Sequence, residues 1–476
     1  MRILLMSPSV TDEERRPDVV GQSKVKFIQR IKDKYGFAPG ISPSYGLLYL
    51  SSILKNIGHT TFYLDGNIHN IDTILNFIYE KQIDLVGVST LSFNWEAAKK
   101  NIRVIKRRNP SVMLVIGGVN VTCRKSDCLK ESPETDIAVY GEAEESFPEV
   151  IRRLENGITM HNVPGVIFRD NGVITENIPA VPVKDLDTIP YPDLSALGDD
   201  FKRFRPAPMF YKNLPHASIF ASRGCPFKCT FCLSEQKLRK RDPLKVVDEI
   251  EYYIKEFGIR SMTFYDETLT ANKTWIKEIC SEINNRKLRF YWSANVRADC
   301  VTPDIVKIMK GSGCWQMLFG VESGVQKNLI TIQKGETVDQ IRDAVNMVSR
   351  EGVETLGMFM FGIPGETYEE GLETIKFACN LPLNYAIFTN ITPYPGSKLY
   401  DQVKDEPGFR GLDKLTTPVK INYVPASMTE DELRTLLKKA YRSFYYRPAY
   451  IAKRLAGIRD LEDIRKNLRG FLQLWN

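Results

Sequence analysis

No part of the chain approaches the run of roughly 20 apolar residues that a membrane-spanning helix needs, so no transmembrane segment is expected. Histidine is scarce. His59, His69, His161 and His216 stand alone along the sequence, and none is given a ligand role. Cysteine is too odd in number for a disulfide framework: nine in a long chain point to a reducing compartment. The opening Met-Arg-Ile-Leu-Leu-Met is too short for a secretory signal, and a cytoplasmic location is expected. Charge is not extreme either, with a net charge of +7. That balance suits an anionic substrate or an ordinary solvated surface, and no nucleic-acid partner is expected. What remains is globular: 476 residues, 43% hydrophobic and 26% charged, enough for about three units or two larger ones.

The first 160 residues alternate between two periodicities. Ile3–Met6, Thr61–Leu64, Leu85–Val88, Met113–Ile116 and Ile137–Tyr140 are short apolar runs, as buried parallel strands are. Between them lie helical patterns, among them Ile71, Ile74, Leu75 and Ile78 on one face, Glu96–Arg108 and Glu144–Glu155. The expectation is an α/β doubly wound, Rossmann-like domain with ligands at the carboxyl ends of its strands. Over 161–215 the pattern changes. Asp170-Asn171-Gly172 between two apolar pairs predicts a hairpin, and the many prolines after it predict a connecting segment.

A second βα series runs from 216 to 400. Its strands are expected at Ser218–Ala221, Met262–Tyr265, Phe290–Ala294, Gln316–Phe319, Leu356–Phe361 and Ala386–Asn390, with helices between. Six βα units predict a partial, open (β/α)6 TIM-like barrel with its chemistry at the strand carboxyl ends. Residues 401–476 read as a helical C-terminal region. Its basic residues, from Lys438 to Arg469, alternate with Tyr441, Phe444, Tyr445, Tyr446 and Tyr450. That pattern fits a cap with aromatics turned inward, or a patch for an anionic substrate or a membrane surface. The segment Arg15–Tyr35 interrupts the first βα connection and is a candidate cover for the active site.

After the first barrel strand comes Cys225-Pro226-Phe227-Lys228-Cys229-Thr230-Phe231-Cys232. A C-x3-C-x2-C loop can turn three thiolates to one face of a 4Fe–4S cubane and leave the fourth iron open. A closed zinc site would want a fourth ligand, and no fitting Cys or His lies nearby. Cys280, Cys300, Cys314 and Cys379 read as small buried hydrophobes.

With this triplet the sequence resembles the radical S-adenosylmethionine (SAM) enzymes. The resemblance implies that the open iron chelates SAM, and that an electron from the cluster cleaves it to methionine and a 5′-deoxyadenosyl radical. It also implies a one-electron reductant of the flavodoxin or ferredoxin type. Further motifs follow at successive strand ends: Asp266 and Glu267 after the second strand, Asn295 and Arg297 after the third, Glu322 and Ser323 after the fourth, and Gly362-Ile363-Pro364-Gly365 after the fifth. Their counterparts meet the amino group, ribose, carboxylate and adenine of SAM. Asp266 and Glu322 can also be read as helix caps.

The first domain resembles the cobalamin-binding domains fused to such barrels. The similarity is carried by Ser44-Tyr45-Gly46, by Ser89-Thr90 and Asn94, by Gly117-Gly118-Val119-Asn120, and by Gly141-Glu142, all at expected strand ends. Glycines there would let backbone approach a corrin closely. The Asp-x-His-x-x-Gly motif that places a histidine under cobalt is absent, since Asp65-Gly66-Asn67-Ile68-His69 has the wrong spacing. Many fused relatives lack it too.

The combined resemblance implies a radical SAM enzyme that methylates an unactivated carbon through methylcobalamin, a second SAM restoring the methyl. The rival is a dehydratase, cyclase or rearrangement enzyme with an empty first domain. A methylthiotransferase is disfavoured, because its extra cluster would have only Cys123 and Cys128. The substrate is expected to be a small molecule, a lipid or a protein side chain.

Overall fold

The computed structural model describes residues 1–8, 40–411 and 421–456. They divide into two units, residues 1–8 with 41–204 and residues 205–411 with 421–456. The candidate cover at Arg15–Tyr35 and the basic residues beyond 456 lie outside the described residues.

In the first unit the apolar runs form strands β1 (Arg2–Ser7), β2 (Thr60–Asp65), β3 (Leu85–Ser89), β4 (Met113–Gly117) and β5 (Ile137–Val139). They pair in parallel, in the order β2-β1-β3-β4-β5. Ile3, Leu4, Leu5 and Met6 have no exposed surface, because helices cover both faces of the sheet. One layer is formed by α1 (Tyr45–Asn56) and the other by α2 (Ile71–Glu80) and α3 (Trp95–Arg108). Asn70 starts α2 by accepting the Thr73 amide at 2.9 Å, and Ile74, Leu75 and Ile78 are its buried stripe. After β4 come the short helices α4 (Val119–Arg124) and α5 (Ser126–Glu131), and after β5 comes α6 (Ser146–Glu155). The sheet order reverses between β1 and β3, which makes their carboxyl ends the ligand crevice of such a fold.

The predicted hairpin is present as β6 (Val166–Asp170) and β7 (Val173–Glu176). Asn171 and Gly172 have φ of 48° and 84°, the left-handed pair of a tight hairpin turn. Its place differs from the expectation of a linker over 161–215. β6 pairs antiparallel with β5, from Ile137–Phe168 to Val139–Val166, so the hairpin extends the first sheet. The apolar side chains of β6 are the reason, since Ile167 joins the core under α3.

The second unit is a six-stranded parallel sheet in the order β15-β14-β13-β12-β11-β8. Its strands are β8 (His216–Ile219), β11 (Ser261–Phe264), β12 (Tyr291–Val296), β13 (Cys314–Glu322), β14 (Glu354–Phe361) and β15 (Tyr385–Asn390). Among the described residues β8 and β15 are unjoined edges, so the barrel is partial. Helices α7 (Pro243–Phe257), α8 (Lys273–Asn285), α9 (Pro303–Gly311), α10 (Gln326–Thr331), α11 (Val338–Arg350) and α12 (Tyr368–Asn380) alternate with the strands. Their ends follow local chemistry. Asp242 and Pro243 open α7 and Gly258, with φ 63°, closes it; Thr337 with Gln340 and Thr367 with Glu370 form capping boxes on α11 and α12. α13 (Lys398–Val403), α14 (Glu430–Tyr445) and α15 (Pro448–Ala456) follow. α14 lays Phe444 and Tyr445, both buried, against β15, so these two aromatics turn inward, whereas Tyr446 is exposed. Lys438 and Lys439 are exposed on its other side. Among the described residues no helix is long and apolar enough to cross a membrane.

Candidate active site

The cysteine loop leaves the sheet just past β8 and is tied off at its base. Residues Ser222–Arg223 (β9) pair antiparallel with Arg239–Lys240 (β10), closing the segment between them into a loop. Gly224, at φ 84°, turns the chain into it. A Cβ there would lie 2.3 Å from the Lys237 carbonyl, so no other residue fits. The Cys225 amide donates to the Glu235 carbonyl at 2.7 Å and the Thr230 amide to the Ile332 carbonyl at 2.9 Å.

Each thiol has a polar neighbour within hydrogen-bond distance. The Cys225 sulfur lies 3.6 Å from the Thr268 hydroxyl, the Ser234 amide donates to the Cys232 sulfur at 3.4 Å, and Arg297 Nη1 donates to the Cys229 sulfur at 3.8 Å. Burial pushes the Cys229 and Cys232 thiols up, and Lys334 and Arg297 act against that shift at Cys229. Among the described residues no three His, Cys, Asp or Glu side chains converge on one ion-sized point. A cubane asks for no such convergence, because each thiolate takes a different iron. One loop carrying three hydrogen-bonded thiols, with two cations beside it, fits that group.

The strand ends sort the other expected residues. Asp266 is turned inward: Ser222 Oγ donates to its carboxylate, as does the Ala221 amide at 3.3 Å. Burial pushes its pKa up to about 7. Its carboxyl therefore serves the base of the cysteine loop, and Glu267 is the exposed carboxylate at that strand end. Asn295 donates to the Asp266 carbonyl at 3.0 Å and stays partly open. Arg297 is buried under Phe227, the guanidinium carbon 3.6 Å from the ring centroid. Ser323 is fully buried, its hydroxyl against Thr374 at 3.0 Å, and it holds the strand end internally.

Glu322 has a φ of 63°, a left-handed conformation costly for glutamate. Its carboxylate accepts from Lys334 Nζ at 3.2 Å, and both side chains are buried. A Cβ at Gly320 would meet Glu322 Oε1 at 2.6 Å and Lys334 Nζ at 2.9 Å, so the glycine makes room for the pair. In the following unit the amides of Gly362 and Ile363 donate to Glu366 Oε2 at 2.6 and 3.2 Å, which fixes the turn that leads into the half-open Pro364. Lys334 and Glu336 were not singled out by sequence; they lie in no strand-end motif, and only the fold brings them to the site. Glu366 belongs to the motif after the fifth strand, and its part in fixing that turn is what the structure adds.

At the crevice of the first unit, Ser44 Oγ donates to Ser89 Oγ at 3.4 Å and the Ser44 amide to the Tyr63 hydroxyl at 3.0 Å, joining the ends of β1, β2 and β3. The Thr90 amide donates to the Gly117 carbonyl and the Asn120 amide to the Thr90 carbonyl, joining β3 to β4. Tyr45 and Asn94 are buried, Asn94 accepting the Leu91 amide at 2.7 Å. The glycines have a different reason from the expected one. A Cβ at Gly118 would sit 2.6 Å from the Thr90 carbonyl, and one at Gly141 2.9 Å from the Ala180 Cβ, so both serve internal packing. Gly46 alone among the crevice glycines opens onto free space. Glu142 accepts the Val183 amide at 2.7 Å. What the crevice presents instead is apolar: Leu91 and Val119, 37% and 49% exposed, stand at the ends of β3 and β4. His69 is paired with Asp200. An exposed apolar pair, with no available histidine, fits a corrin held without a lower-face imidazole.

Comparison with known proteins identifies both domains. The radical SAM superfamily model matches residues 219–378, and the B12 binding domain model matches residues 37–151. Over 450 residues the chain is 31% identical to an uncharacterized methyltransferase of Pyrococcus horikoshii, covering 91% of this chain and 94% of that protein. The chain belongs to the radical SAM superfamily, among the members that carry a B12-binding domain ahead of the barrel. The cofactors of that family, a 4Fe–4S cluster and SAM, with cobalamin in the first domain, are those the sequence implies. The anaerobic magnesium-protoporphyrin IX monomethyl ester cyclase of Rubrivivax gelatinosus is 28% identical over 424 residues, covering 86% of this chain and 75% of the cyclase. The fold is shared with two solved proteins. The radical SAM methyltransferase TsrM of Kitasatospora setae, with cobalamin and a 4Fe–4S cluster bound, aligns at a TM-score of 0.69 with 16% identity, covering 94% of this chain and 89% of TsrM. The cobalamin-dependent enzyme OxsB aligns at 0.71 with 17% identity, covering 99% and 71%.

Proposed function

We propose that the chain is a cobalamin-dependent radical SAM C-methyltransferase. The observation that carries the reading is the likeness to a methyltransferase over nearly the full length of both chains. When bound, the cluster and SAM supply a carbon-centred radical and cobalamin supplies the methyl group. The protein's own part is to hold and shield. Cys225, Cys229 and Cys232 hold the cluster, with the Thr268 hydroxyl against the Cys225 sulfur and Ser234 and Arg297 donating to those of Cys232 and Cys229. Glu267 and Asn295, at neighbouring strand ends, meet the polar end of SAM, and the turn at Gly362–Pro364 receives its adenine. Leu91 and Val119 lie against the corrin. The electron comes from a flavodoxin- or ferredoxin-type reductant, and the substrate is a small molecule, a lipid or a protein side chain.

A second reading is favoured by the cyclase relatives: radical chemistry on the substrate without methyl transfer. Turnover of methyl-labelled SAM by anaerobically reconstituted protein, with S-adenosylhomocysteine and 5′-deoxyadenosine counted, separates the two. Formation of 5′-deoxyadenosine without S-adenosylhomocysteine overturns the methyltransferase reading.

A further inference from the structure

Of the three polar groups that lie within hydrogen-bond distance of the cysteine sulfurs among the described residues, one is a backbone amide, one a hydroxyl and one the guanidinium of Arg297. Only the last brings a charged hydrogen bond to a sulfur, with the Lys334 ammonium acting on Cys229 by charge alone, and the guanidinium is held from every side. Its Nε and Nη2 donate to the Asp299 carboxylate at 3.1 and 2.9 Å, and Nη2 also donates to the Lys334 carbonyl at 2.8 Å. Its face rests on Phe227, a residue of the cysteine loop itself, in cation–π geometry. The acceptor side is fixed in turn, because Glu336 Oε1 takes the amides of Ala298 and Asp299 at 2.6 and 3.2 Å. The free Nη1 edge is what remains, and it is directed at the Cys229 sulfur. Arg297 is only 4% exposed, so water does little to weaken the interaction.

We infer that Arg297 is a positioning residue for the cluster: it keeps a charged hydrogen bond on the Cys229 thiolate and thereby raises the reduction potential of the cluster. Hydrogen bonds to the cysteine sulfurs and local charge are among the levers that set such potentials. A cationic donor favours the reduced state, which carries one more negative charge, over the oxidised state. The planar fork explains the residue type. A lysine cannot donate to Asp299, to a carbonyl and to a sulfur in one plane while lying flat on a ring. Arg297 ligates no iron and touches no substrate in this role. The inference rests on the cluster reading and is independent of whether methyl transfer follows.

The test is an EPR-monitored redox titration of the full chain after anaerobic reconstitution with iron and sulfide, with iron per chain counted in every sample. Arg297→Gln is expected to lower the midpoint potential, and Arg297→Lys to lower it less. Phe227→Leu removes the plate under the guanidinium and is expected to shift the midpoint in the same direction. That substitution lies in a surface loop and keeps the test open if Arg297→Gln does not fold. A folded Arg297→Gln protein with the wild-type midpoint overturns the inference, and so does a Phe227→Leu protein with an unshifted one. Wild-type protein that takes up no iron overturns the cluster reading as well.

Discussion

The Tyr445 hydroxyl and the backbone of Ala386 exchange two hydrogen bonds: the hydroxyl donates to the Ala386 carbonyl at 2.7 Å and accepts from its amide at 3.1 Å. Tyr441 repeats the arrangement one turn earlier on Phe388, at 3.0 and 3.2 Å. Two side chains of α14 thus occupy backbone groups of β15, an edge strand that would otherwise be open to pairing.

Tyr445→Phe should therefore cost about 2 kcal/mol, because it strands a buried amide and a carbonyl together. Denaturant unfolding measures the loss, and iron content after reconstitution should not change. Wild-type stability in this variant would remove the edge-capping role.

Replacing Cys225, Cys229 or Cys232 by Ala should abolish both the cluster spectrum and SAM cleavage, while the fold, read by circular dichroism, is kept. About four irons and four sulfides per chain are expected in the wild type. A Cys229→Ala protein with an intact cluster, or tightly bound zinc in place of iron, would sink the assignment.

Glu366 should make the protein less stable as pH rises. Burial pushes its pKa from the usual carboxylate range up to about 7. Between about pH 4.5 and 7 the folded chain then holds a proton that the unfolded chain has released, and stability falls across that window. Glu366→Gln should flatten this limb and gain on the order of 2 kcal/mol at pH 8. The neighbouring Asn328 Oδ1, which lacks a partner, can accept from the new amide if Asn328 turns over. Urea titrations at pH 5 and 8 check it, and an unchanged pH slope counts against a raised pKa.

In the first unit, Leu91→Glu or Val119→Glu should lower cobalamin retained after gel filtration and leave iron content alone. The EPR spectrum of bound cob(II)alamin should show no imidazole nitrogen coupling, given His69 paired with Asp200. A histidine-coupled spectrum contradicts the crevice described here.

With methyl-labelled SAM, two molecules should be consumed per product, one yielding S-adenosylhomocysteine and the other 5′-deoxyadenosine. The label should sit on a carbon of the substrate.

The strands and the cysteine loop were legible in sequence because their signals are local. Short apolar runs between period-3.6 helical patterns read out β1–β5 and the six barrel strands, and Asn171-Gly172 allows little but a tight hairpin. Which sheet the hairpin joins is a tertiary matter, decided by where Ile167 finds a core. The site was legible by position more than by role. A carboxylate after a strand looks the same whether it stays exposed, as Glu267 does, or turns back onto Ser222, as Asp266 does. Gly118 shows the same limit: a glycine signals that something stands close, and here that neighbour is the Thr90 backbone. Lys334 and Glu336 had no local signal, because what defines them is contact across 12 to 38 residues of chain.

Glu322 sets two demands on one codon. Its left-handed backbone alone would be filled most cheaply by glycine or asparagine. The ammonium of Lys334, buried beside it, calls for an acid long enough to reach it. In a library of all substitutions at this position, growth selected for soluble protein and growth selected for turnover should enrich different residues. Glutamate is the point where the two sets meet, kept against the easier choice for the chain.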